Sequence, residues 1–388
     1  MKDGKLVVFI CAGEASGDLH AAALMREMRR VYAPCEIEFV GFGGDAMAAE
    51  GARLLFHTDQ TAVMGIIPVI KRLPFLLRMK RRLEKEILKL APDVLLTVDY
   101  PGMNLRLAAF ARSNGIRAVH MVCPQVWAWH RGRIPKVAAA LDLLLCFFPF
   151  EPGLFADTPL KALFIGHPLV DRAAETRALP RAQLPWGNAK YRIALLPGSR
   201  AAEVKRLLPT MLEAAEIIRR KCGGDCSFVI PAASAGVERM IGRIVSTAPC
   251  RADLNVRVVA GSAREVMLQA SCAAVASGTA TLEASLMRCP TVLVYAVNAF
   301  TAVLARLLIK GVKWIGLANI IAGRQIMPEL LQGDFTADSL AGKLLLYLTD
   351  ASVRSAAEHG MDAVNAKLGE PGAAARAAVA IRDCINGV

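Results

Sequence analysis

One aspartate stands where an apolar run ends and a proline turn begins. Asp99 follows the run DVLLTV (93–98) and precedes Tyr100-Pro101-Gly102. In open parallel sheets, ligands bind beyond the carboxyl ends of the strands, and a carboxylate placed there can accept a proton from a substrate hydroxyl. A general base is therefore one interpretation of Asp99. The other is a residue that only caps the following helix.

Two glycine turns have the composition of phosphate sites. PGSR (197–200) offers backbone that a phosphate can approach, a hydroxyl and the planar cation of arginine. SGT (277–279) opens a predicted helix, whose N-terminal amides and dipole favour a diphosphate. Glu283 forms no usual capping box with Thr279, so we expect its carboxylate to be free for ribose hydroxyls. The candidates on this side are Ser199, Arg200, Gly278, Thr279 and Glu283.

A third turn, CAGEASGDLH (11–20), follows the first apolar run. Its glycines permit a tight turn into a helix that we expect to begin near Asp18, and the helix amides could hold an anion. The polar or flexible candidates at this rim are Glu14, Ser16, Gly17 and Asp18. An ordinary capped turn is an equal alternative, since the dinucleotide fingerprint is absent. The polar loop that contains Asn319, Gly323 and Arg324 does not by itself indicate a particular kind of site.

The elements that position these residues are short apolar runs alternating with helical patterns. Runs without polar alternation are typical of parallel strands buried on both faces, so we predict a doubly wound α/β architecture. The predicted strands are LVVFI (6–10), IEFVGF (37–42), DVLLTV (93–98), AVHMV (118–122), LLLCFF (143–148), RIALL (192–196), SFVI (227–230), AAVA (273–276) and TVLVYAV (291–297).

A polar, proline-containing stretch between Phe164 and Tyr191 separates two series of strands. We therefore predict two Rossmann-like domains with a ligand-binding cleft between them. The first comprises residues 1–170 plus C-terminal helices from about 350 to 388. The second comprises residues 171–349.

Composition limits the partners. The 388 residues carry a formal charge of +13, 54% of them are apolar, and the mean hydropathy is +0.39. A basic chain with surplus apolar residues favours an anionic lipid surface over nucleic acid. The 10 cysteines are spread among apolar residues, which favours reduced core thiols. Cys222 and Cys226 could in principle bind a metal, but no His or second Cys pair lies at zinc-ligand spacing, so we assign no metal. We also expect the N-terminal run to be a strand, not a signal peptide.

Residues 75–90 (FLLRMKRRLEKEILKL) predict an amphipathic basic helix, and the preceding MGIIPVIKRLP (64–74) adds apolar residues. A solvated helix with its apolar stripe in the core is the alternative to membrane contact. The predicted membrane contacts are Ile66, Ile67, Leu76, Arg78, Lys80 and Arg81. The apolar stretch Thr291–Ile309 is expected to be a strand and then a helix, not a membrane span.

In order along the chain, these segments resemble the lipid A disaccharide synthase family. The resemblance covers nearly the whole chain, and its tryptophan, GTATLE and AGR segments are specific in combination. The matching segments are AGEASGDLH (12–20), MGIIPVIKRLP (64–74), PDVLLTVDYPGMNLRLA (92–108), HMVCPQVWAWHRGRIPKVA (120–138), FPFEP (148–152), FIGHPLVD (164–171), LLPGSRAAEV (195–204), ASGTATLEA (276–284) and LANIIAGRQIMPELLQ (317–332).

The resemblance implies a GT-B fold and an inverting glycosyltransferase. The donor would be UDP-2,3-diacylglucosamine and the acceptor 2,3-diacylglucosamine 1-phosphate, with no metal or other cofactor. The enzyme would work in the cytoplasm, peripherally on the inner membrane. Asp99 would be the general base, Arg200, Asn319 and Arg324 would lie at the donor, and the AGEASGD turn would belong to the acceptor half.

The chain departs from the family pattern D-x-P-D-F-N at Gly102 and Met103, and has Ala318 where a proline is usual. The alternatives within the same fold are a UDP-GlcNAc 2-epimerase and the lipid-linked transferase of cell-wall synthesis. An alternative of another class is a non-catalytic protein that binds anionic lipid.

Overall fold

The described strands form two separate sheets, and every pair of neighbouring strands in them is parallel. The computed structural model describes residues 4–60, 66–127, 131–249, 254–297 and 313–387, with the side chains of 66–72 left out. The strands are β1 (Lys5–Ala12), β2 (Glu36–Gly43), β3 (Arg53–His57), β4 (Val94–Val98), β5 (Arg117–Met121), β6 (Leu143–Cys146), β7 (Lys161–Phe164), β8 (Tyr191–Leu196), β9 (Cys226–Ala232), β10 (Val256–Ala260), β11 (Cys272–Ala276), β12 (Thr291–Tyr295) and β13 (Glu329–Leu331).

Helices connect these strands, as parallel pairing requires. They are α1 (Ala15–Tyr32), α2 (Asp45–Ala49), α3 (Ile66–Leu90), α4 (Pro101–Ser113), α5 (Ile134–Ala140), α6 (Pro168–Ala178), α7 (Ala201–Lys221), α8 (Ala235–Thr247), α9 (Ala263–Gln269), α10 (Thr279–Leu286), α11 (Leu317–Ala322), α12 (Ala337–Thr349), α13 (Ala351–Lys367) and α14 (Ala373–Asn386).

The first compact unit comprises Met1–Pro168 and Glu370–Val388. Its seven-stranded sheet has the order β3-β2-β1-β4-β5-β6-β7. Alternate residues of β1 enter opposite cores: Leu6, Val8 and Ile10 pack in a cluster with residues of α1 and α14, while Phe9 and Cys11 pack in a cluster with residues of α3 and α4. This two-sided burial explains the continuous apolar run of β1.

The second unit comprises Leu169–Gly369, and its six-stranded sheet has the order β10-β9-β8-β11-β12-β13. One face of β8, with Ile193 and Leu195, packs in a core with α7 and α12. Helix α13 belongs to this unit, because it packs against α10, α11 and α12. The predicted first domain includes the chain from about residue 350, whereas the first unit resumes only at Glu370.

All nine predicted strands are present, and the structure adds β3, β7, β10 and β13. These four are the edge strands of the two sheets. Each is largely half-buried or exposed, so its sequence lacks the apolar run that marks a strand covered on both faces. The strand expected at 291–297 is β12, and the helix expected after it falls on residues 298–312, outside the described residues.

Candidate active site

Asp99 lies directly beyond β4, in a turn of unusual backbone conformation. Its N–H donates to the Met121 carbonyl at 2.9 Å, which extends the pairing of β4 with β5 by one residue. Asp99 and Tyr100 both have positive φ angles, 51° and 48°. Each left-handed non-glycine residue costs about 1–2 kcal/mol. Two in succession must be held by their surroundings, and such strain is concentrated at functional sites.

Asn104, one turn into α4, holds this turn. Its side-chain Nδ2 lies 2.7 Å from the Asp99 carbonyl, 3.2 Å from the Val98 carbonyl and 3.3 Å from the Cys11 carbonyl. The Asn104 side chain is fully buried. Asn104 was not among the predicted site residues, although its place in the D-x-P-D-F-N pattern was the available signal.

The carboxylate of Asp99 is half-buried and only partly engaged. Its Oδ1 accepts the Tyr100 N–H at 2.8 Å, and Oδ2 accepts no hydrogen bond from the residues that the structure describes. Burial raises the pKa of Asp99, and the Tyr100 N–H opposes that rise. The N-cap of α4 is Tyr100, without a side-chain cap bond, so Asp99 does not act as the helix cap. Of the two interpretations from sequence, the geometry favours the general base.

The turn before α1 lies against Asp99. A Cβ added to Gly17 would stand 3.7 Å from the Asp99 Cβ and 3.3 Å from the Val98 carbonyl oxygen. A Cβ added to Gly13 would stand 2.3 Å from the Tyr100 ring, so only glycine fits there. Burial raises the pKa of Tyr100, and the negative charge of Glu14 adds to that rise. The first turn of α1 and the Asp99 turn therefore form one local cluster.

One candidate in this turn has a different role from the expected one. Asp18 is buried, and its carboxylate accepts the N–H groups of Gly44, Ala46 and Met47 at 2.7, 2.9 and 3.1 Å. Its carboxylate thus accepts the backbone N–H groups at the start of α2 and does not line the rim of a ligand site. The expectation failed because α1 begins at Ala15, not near Asp18, and this turns Asp18 towards the β2–α2 connection. Glu14 and Ser16 are exposed and remain acceptor-side predictions.

A cavity of about 510 Å³ lies at the carboxyl ends of strands in the second unit. It brings together five sequence-predicted residues: Ser199, Arg200, Gly278, Thr279 and Glu283. It is also lined by residues that sequence analysis missed, among them Ser262 and Arg264. These follow β10, an edge strand that the apolar pattern did not reveal.

Arg200 is the N-cap of α7 and is exposed. Its Nη1 lies 3.2 Å from Glu203 Oε1, and its backbone N–H donates to Glu203 Oε2 at 3.3 Å. Gly198 has a φ of 107°, and a Cβ there would stand 2.3 Å from Glu203 Oε2. Exposed ion pairs contribute about 0–1 kcal/mol, so Arg200 can exchange Glu203 for a phosphate oxygen at little cost.

The expected SGT turn opens α10 at Thr279, with Gly278 as its N-cap at a φ of 144°. Glu283, however, is not free. Arg264 Nη1 donates to its Oε1 at 3.2 Å, while Arg264 Nε donates to Thr176 Oγ1 at 3.0 Å. The guanidinium of Arg264, which lies in α9, therefore holds the Glu283 carboxylate of α10 in place. Sequence spacing within α10 could not reveal this partner.

Asn319 and Arg324 are not among the residues that line this cavity. The Asn319 side chain is fully buried: its Nδ2 donates to the Met327 carbonyl and to Glu329 Oε1, and its Oδ1 accepts the N–H groups of Ile326 and Met327. Its amide is thus occupied inside the protein and does not present a group to a donor. Arg324 is exposed just after Gly323, which ends α11.

The basic helix α3 has its apolar stripe in the core. Met79, Leu83 and Ile87 are buried, and Leu76 packs against the same cluster. Leu76 is half-buried and lies on this core-facing stripe, so its role as a membrane contact stays a prediction.

The other predicted contacts on α3 divide into three groups. Lys80 pairs with Glu84, whereas Arg78 and Arg81 are exposed. Ile66 and Ile67 have side chains outside the described residues. The leucines that α3 exposes among the described residues are Leu73, 47% exposed, Leu77, 44% exposed, and Leu88, 51% exposed. Among the described helices, α3 included, none combines the length and the apolar character needed to cross a bilayer.

Two thiols and a carboxylate meet in the core of the first unit. The ligand atoms of Cys123, Cys146 and Glu151 lie within 4.8 Å of one another, and all three residues are buried. Glu151 Oε2 accepts the N–H groups of Phe147 and Phe148, while burial raises the pKa of Glu151 to about 7. Three donors are one fewer than a structural zinc site uses. The assignment of no metal stays a prediction.

Comparisons with known proteins identify the family to which the sequence is similar. Residues 8–382 match the family described as lipid-A-disaccharide synthetase. A lipid-A-disaccharide synthase from Chromohalobacter salexigens is 38% identical over 376 residues, which cover 96% of each chain. One from Anaeromyxobacter dehalogenans strain 2CP-C is 40% identical over 372 residues, which cover 96% of this chain and 95% of the relative.

Among solved structures, the glycosyltransferase of kitacinnamycin aligns with a TM-score of 0.65 and 17% identity, covering 98% of this chain and 99% of that one. A likeness at this level of identity concerns the fold alone. Together with the two parallel-sheet units, it confirms the predicted GT-B class.

Proposed function

The chain belongs to the lipid-A-disaccharide synthetase family, and from that premise we propose that Asp99 is the general base of a glycosyl transfer to a lipid-linked sugar. The donor is UDP-2,3-diacylglucosamine and the acceptor is 2,3-diacylglucosamine 1-phosphate. The products are the β-1,6-linked disaccharide 1-phosphate and UDP. The observation that carries the proposal is the open Oδ2 of Asp99, on a half-buried carboxylate at the carboxyl end of β4.

The transfer needs one proton acceptor and one site for the leaving group. As the acceptor's 6-hydroxyl forms its bond to the anomeric carbon, Asp99 Oδ2 takes the hydroxyl proton. The bond from the anomeric carbon to the diphosphate breaks with its electron pair, so the negative charge on UDP grows. A raised pKa suits this task because it makes the ionised carboxylate a stronger base than an exposed aspartate.

The cavity of the second unit has the groups that UDP requires. Arg200 offers a forked cation, and the N-terminus of α10 at Thr279 offers amides and the positive end of a helix dipole. Glu283, held by Arg264, presents an oriented carboxylate to the ribose hydroxyls. These groups offset the charge of the departing diphosphate.

The test is to incubate the purified protein with both acylated substrates and to follow UDP release and product mass. We expect the disaccharide 1-phosphate and one equivalent of UDP. An unacylated UDP-GlcNAc donor serves as the comparison: turnover of that donor to its 2-epimer, or its transfer to a cell-wall lipid, would contradict the proposal. If no UDP is released with both acylated substrates, the result would support the alternative of a non-catalytic protein that binds anionic lipid.

We further propose that the N-terminal part of α3 contacts the membrane, with the protein peripheral on the cytoplasmic face of the inner membrane. Leu73, Leu77 and Arg81 follow each other at intervals of four residues, so they share one helix face, and all three are exposed. Exposed leucines flanked by arginines match an anionic surface, since lipid chains accept the apolar groups and headgroups attract the cations. Acylated substrates require such contact, because each CH₂ kept from water is worth about 0.8 kcal/mol.

Sedimentation with vesicles of phosphatidylethanolamine and phosphatidylglycerol tests this contact. The double variant Leu73→Ser/Leu77→Ser should bind roughly tenfold more weakly, since it removes apolar area from the surface. Leu179→Ser/Leu346→Ser is the matched control, because both leucines are exposed in the second unit. Equal binding by the two variants would remove α3 from the membrane contact.

A further inference from the structure

Three backbone carbonyls converge on one side-chain amide beneath Asp99. They belong to the end of β1, the end of β4 and the turn itself, and Asn104 Nδ2 lies 3.3, 3.2 and 2.7 Å from them. The shortest contact is to the carbonyl of Asp99. The backbone N–H of Asn104 also donates to the Tyr100 carbonyl at 3.2 Å. One residue therefore contacts both left-handed residues and the strand that precedes them.

Regular pairing cannot hold this turn. Strand pairing of β4 with β5 ends at the Asp99 N–H, and neither Asp99 nor Tyr100 has the extended backbone of a strand or the right-handed backbone of a helix. Carbonyls turned inward by such a conformation need donors, because a buried acceptor without a partner is destabilising. Of the described residues, Asn104 supplies the side-chain donor.

The oxygen of the Asn104 side-chain amide indicates that the N–H groups of this amide are the part that stabilises the turn. Asn104 Oδ1 is buried and has no hydrogen-bond partner among the described residues. A buried, unpaired carbonyl oxygen is unfavourable, so a residue selected only to fill this space would be apolar. Burial of the unpaired Oδ1 is unfavourable, and the contacts of the N–H groups with the three carbonyls offset this unfavourable free energy.

We infer that Asn104 is the positioning residue of the base: it fixes the left-handed turn that presents Asp99 Oδ2 to the acceptor hydroxyl. The inference rests on the proposed role of Asp99. With Oδ1 tied to the Tyr100 N–H, the direction of Oδ2 follows from the backbone of the turn, which Asn104 holds. Gly13 and Gly17 complete the enclosure, since side chains there would meet Tyr100 and Asp99.

The main variant is Asn104→Ala, with Asn114→Ala as its matched control. Asn114 is an exposed asparagine at the end of the same helix, and its Nδ2 donates to the Phe110 carbonyl at 2.8 Å. In Asn104→Ala we expect kcat to fall about 10²-fold, the size of effect that a misplaced reacting group produces. The donor KM and the affinity for UDP should stay within about twofold of wild type. Asn114→Ala should change none of these values.

The pH profile separates positioning from a general loss of structure. Burial is the main cause of the raised pKa of Asp99, and the titratable groups in this cluster include Tyr100, Glu14 and the Cys11 thiol, whose pKa burial raises to about 12. A relaxed turn would expose Asp99, so the acidic limb of kcat/KM should move to lower pH in Asn104→Ala. A merely destabilised protein would keep the wild-type limb in its folded fraction.

If Asn104→Ala does not unfold cooperatively, Asn104→Ser replaces it, because its hydroxyl keeps one donor. That variant should give an intermediate kcat and an intermediate shift of the limb. Wild-type kcat and an unmoved limb in a folded Asn104 variant would overturn the inference. Failure of the wild-type protein to form the disaccharide would instead refute the proposed function, so the two failures are distinct.

Discussion

The Asp99 turn of the first unit and the arginine cavity of the second unit are built by opposite means. Asp99 is half-buried, lies in a left-handed pair and is enclosed by glycines, with no cation paired to it among the described residues. Arg200 is exposed and forms an ion pair with Glu203 at the start of the same helix. The first region shields a carboxylate partly from water, and the second keeps the Arg200 guanidinium in contact with water.

The chemistry of each region explains the difference. A base gains strength when burial raises its pKa, so close packing around Asp99 suits its proposed role. A site that must bind and release a charged nucleotide benefits from exposed cations with weak internal partners. The proposed proton acceptor is thus half-buried and held by its turn, whereas the proposed diphosphate site is exposed and exchangeable.

The largest expected effect is at the carboxylate. Asp99→Asn removes the proton acceptor while preserving size and the Tyr100 contact, so turnover should fall about 10²-fold or more. The affinity for UDP, measured by calorimetry, should remain that of wild type, because the nucleotide residues lie in the other unit. Full activity in this variant would show that Asp99 is not the base, and the difference between the two regions would then have no catalytic explanation.

The next effect is at the cation. Arg200→Ala should raise the donor KM about tenfold, the value of one charge-assisted contact, and change the acidic limb of the pH profile little. Arg206→Ala is the control, since Arg206 is an exposed arginine further along the same helix. An equal loss in both variants would mean that general charge, not the cavity, attracts the donor.

Acid should affect the two units unequally. Burial lowers the pKa of His120 to about 4 and is the main cause that lowers the pKa of His167 to about 3, both in the first unit. A lowered pKa gives stability that is complete above the ordinary histidine pKa of about 6.5 and is lost as pH falls through the folded value. For His120 this amounts to roughly 3 kcal/mol. Glu151, also in the first unit, has the opposite effect, because burial raises its pKa to about 7 and protonation then removes a buried charge. The two histidines together outweigh this one carboxyl group, so hydrogen exchange between pH 7 and pH 4 should show the first unit losing protection earlier.

The smallest effect concerns the ionisation of the base itself. Because burial raises the pKa of Asp99, the acidic limb of kcat/KM should lie above the ordinary aspartate value of about 3.9. The same limb should be absent from the pH dependence of UDP binding. A limb at or below the ordinary value would mean that the carboxylate is solvated during catalysis.

Much of the architecture was predictable because it depends on local composition. A strand covered on both faces is apolar at most positions, so nine interior strands, with β4 before Asp99 and β8 before Ser199, were visible as runs. The four edge strands were not visible, since a half-exposed strand has no such run. The turns that carry Asp99, Arg200 and Thr279 were found because they follow interior strands.

The sequence by itself therefore determined the two parallel sheets, the position of Asp99 and the composition of the nucleotide turns. Only the tertiary structure decided which polar groups are already occupied: Asp18 by the start of α2, Asn319 by its own loop and Glu283 by Arg264. It also decided that Leu76 faces the core and that Asn104 holds the Asp99 turn. Burial of a strand is recorded in its own residues, whereas the partner of a polar side chain comes from elsewhere in the chain and has no local signature.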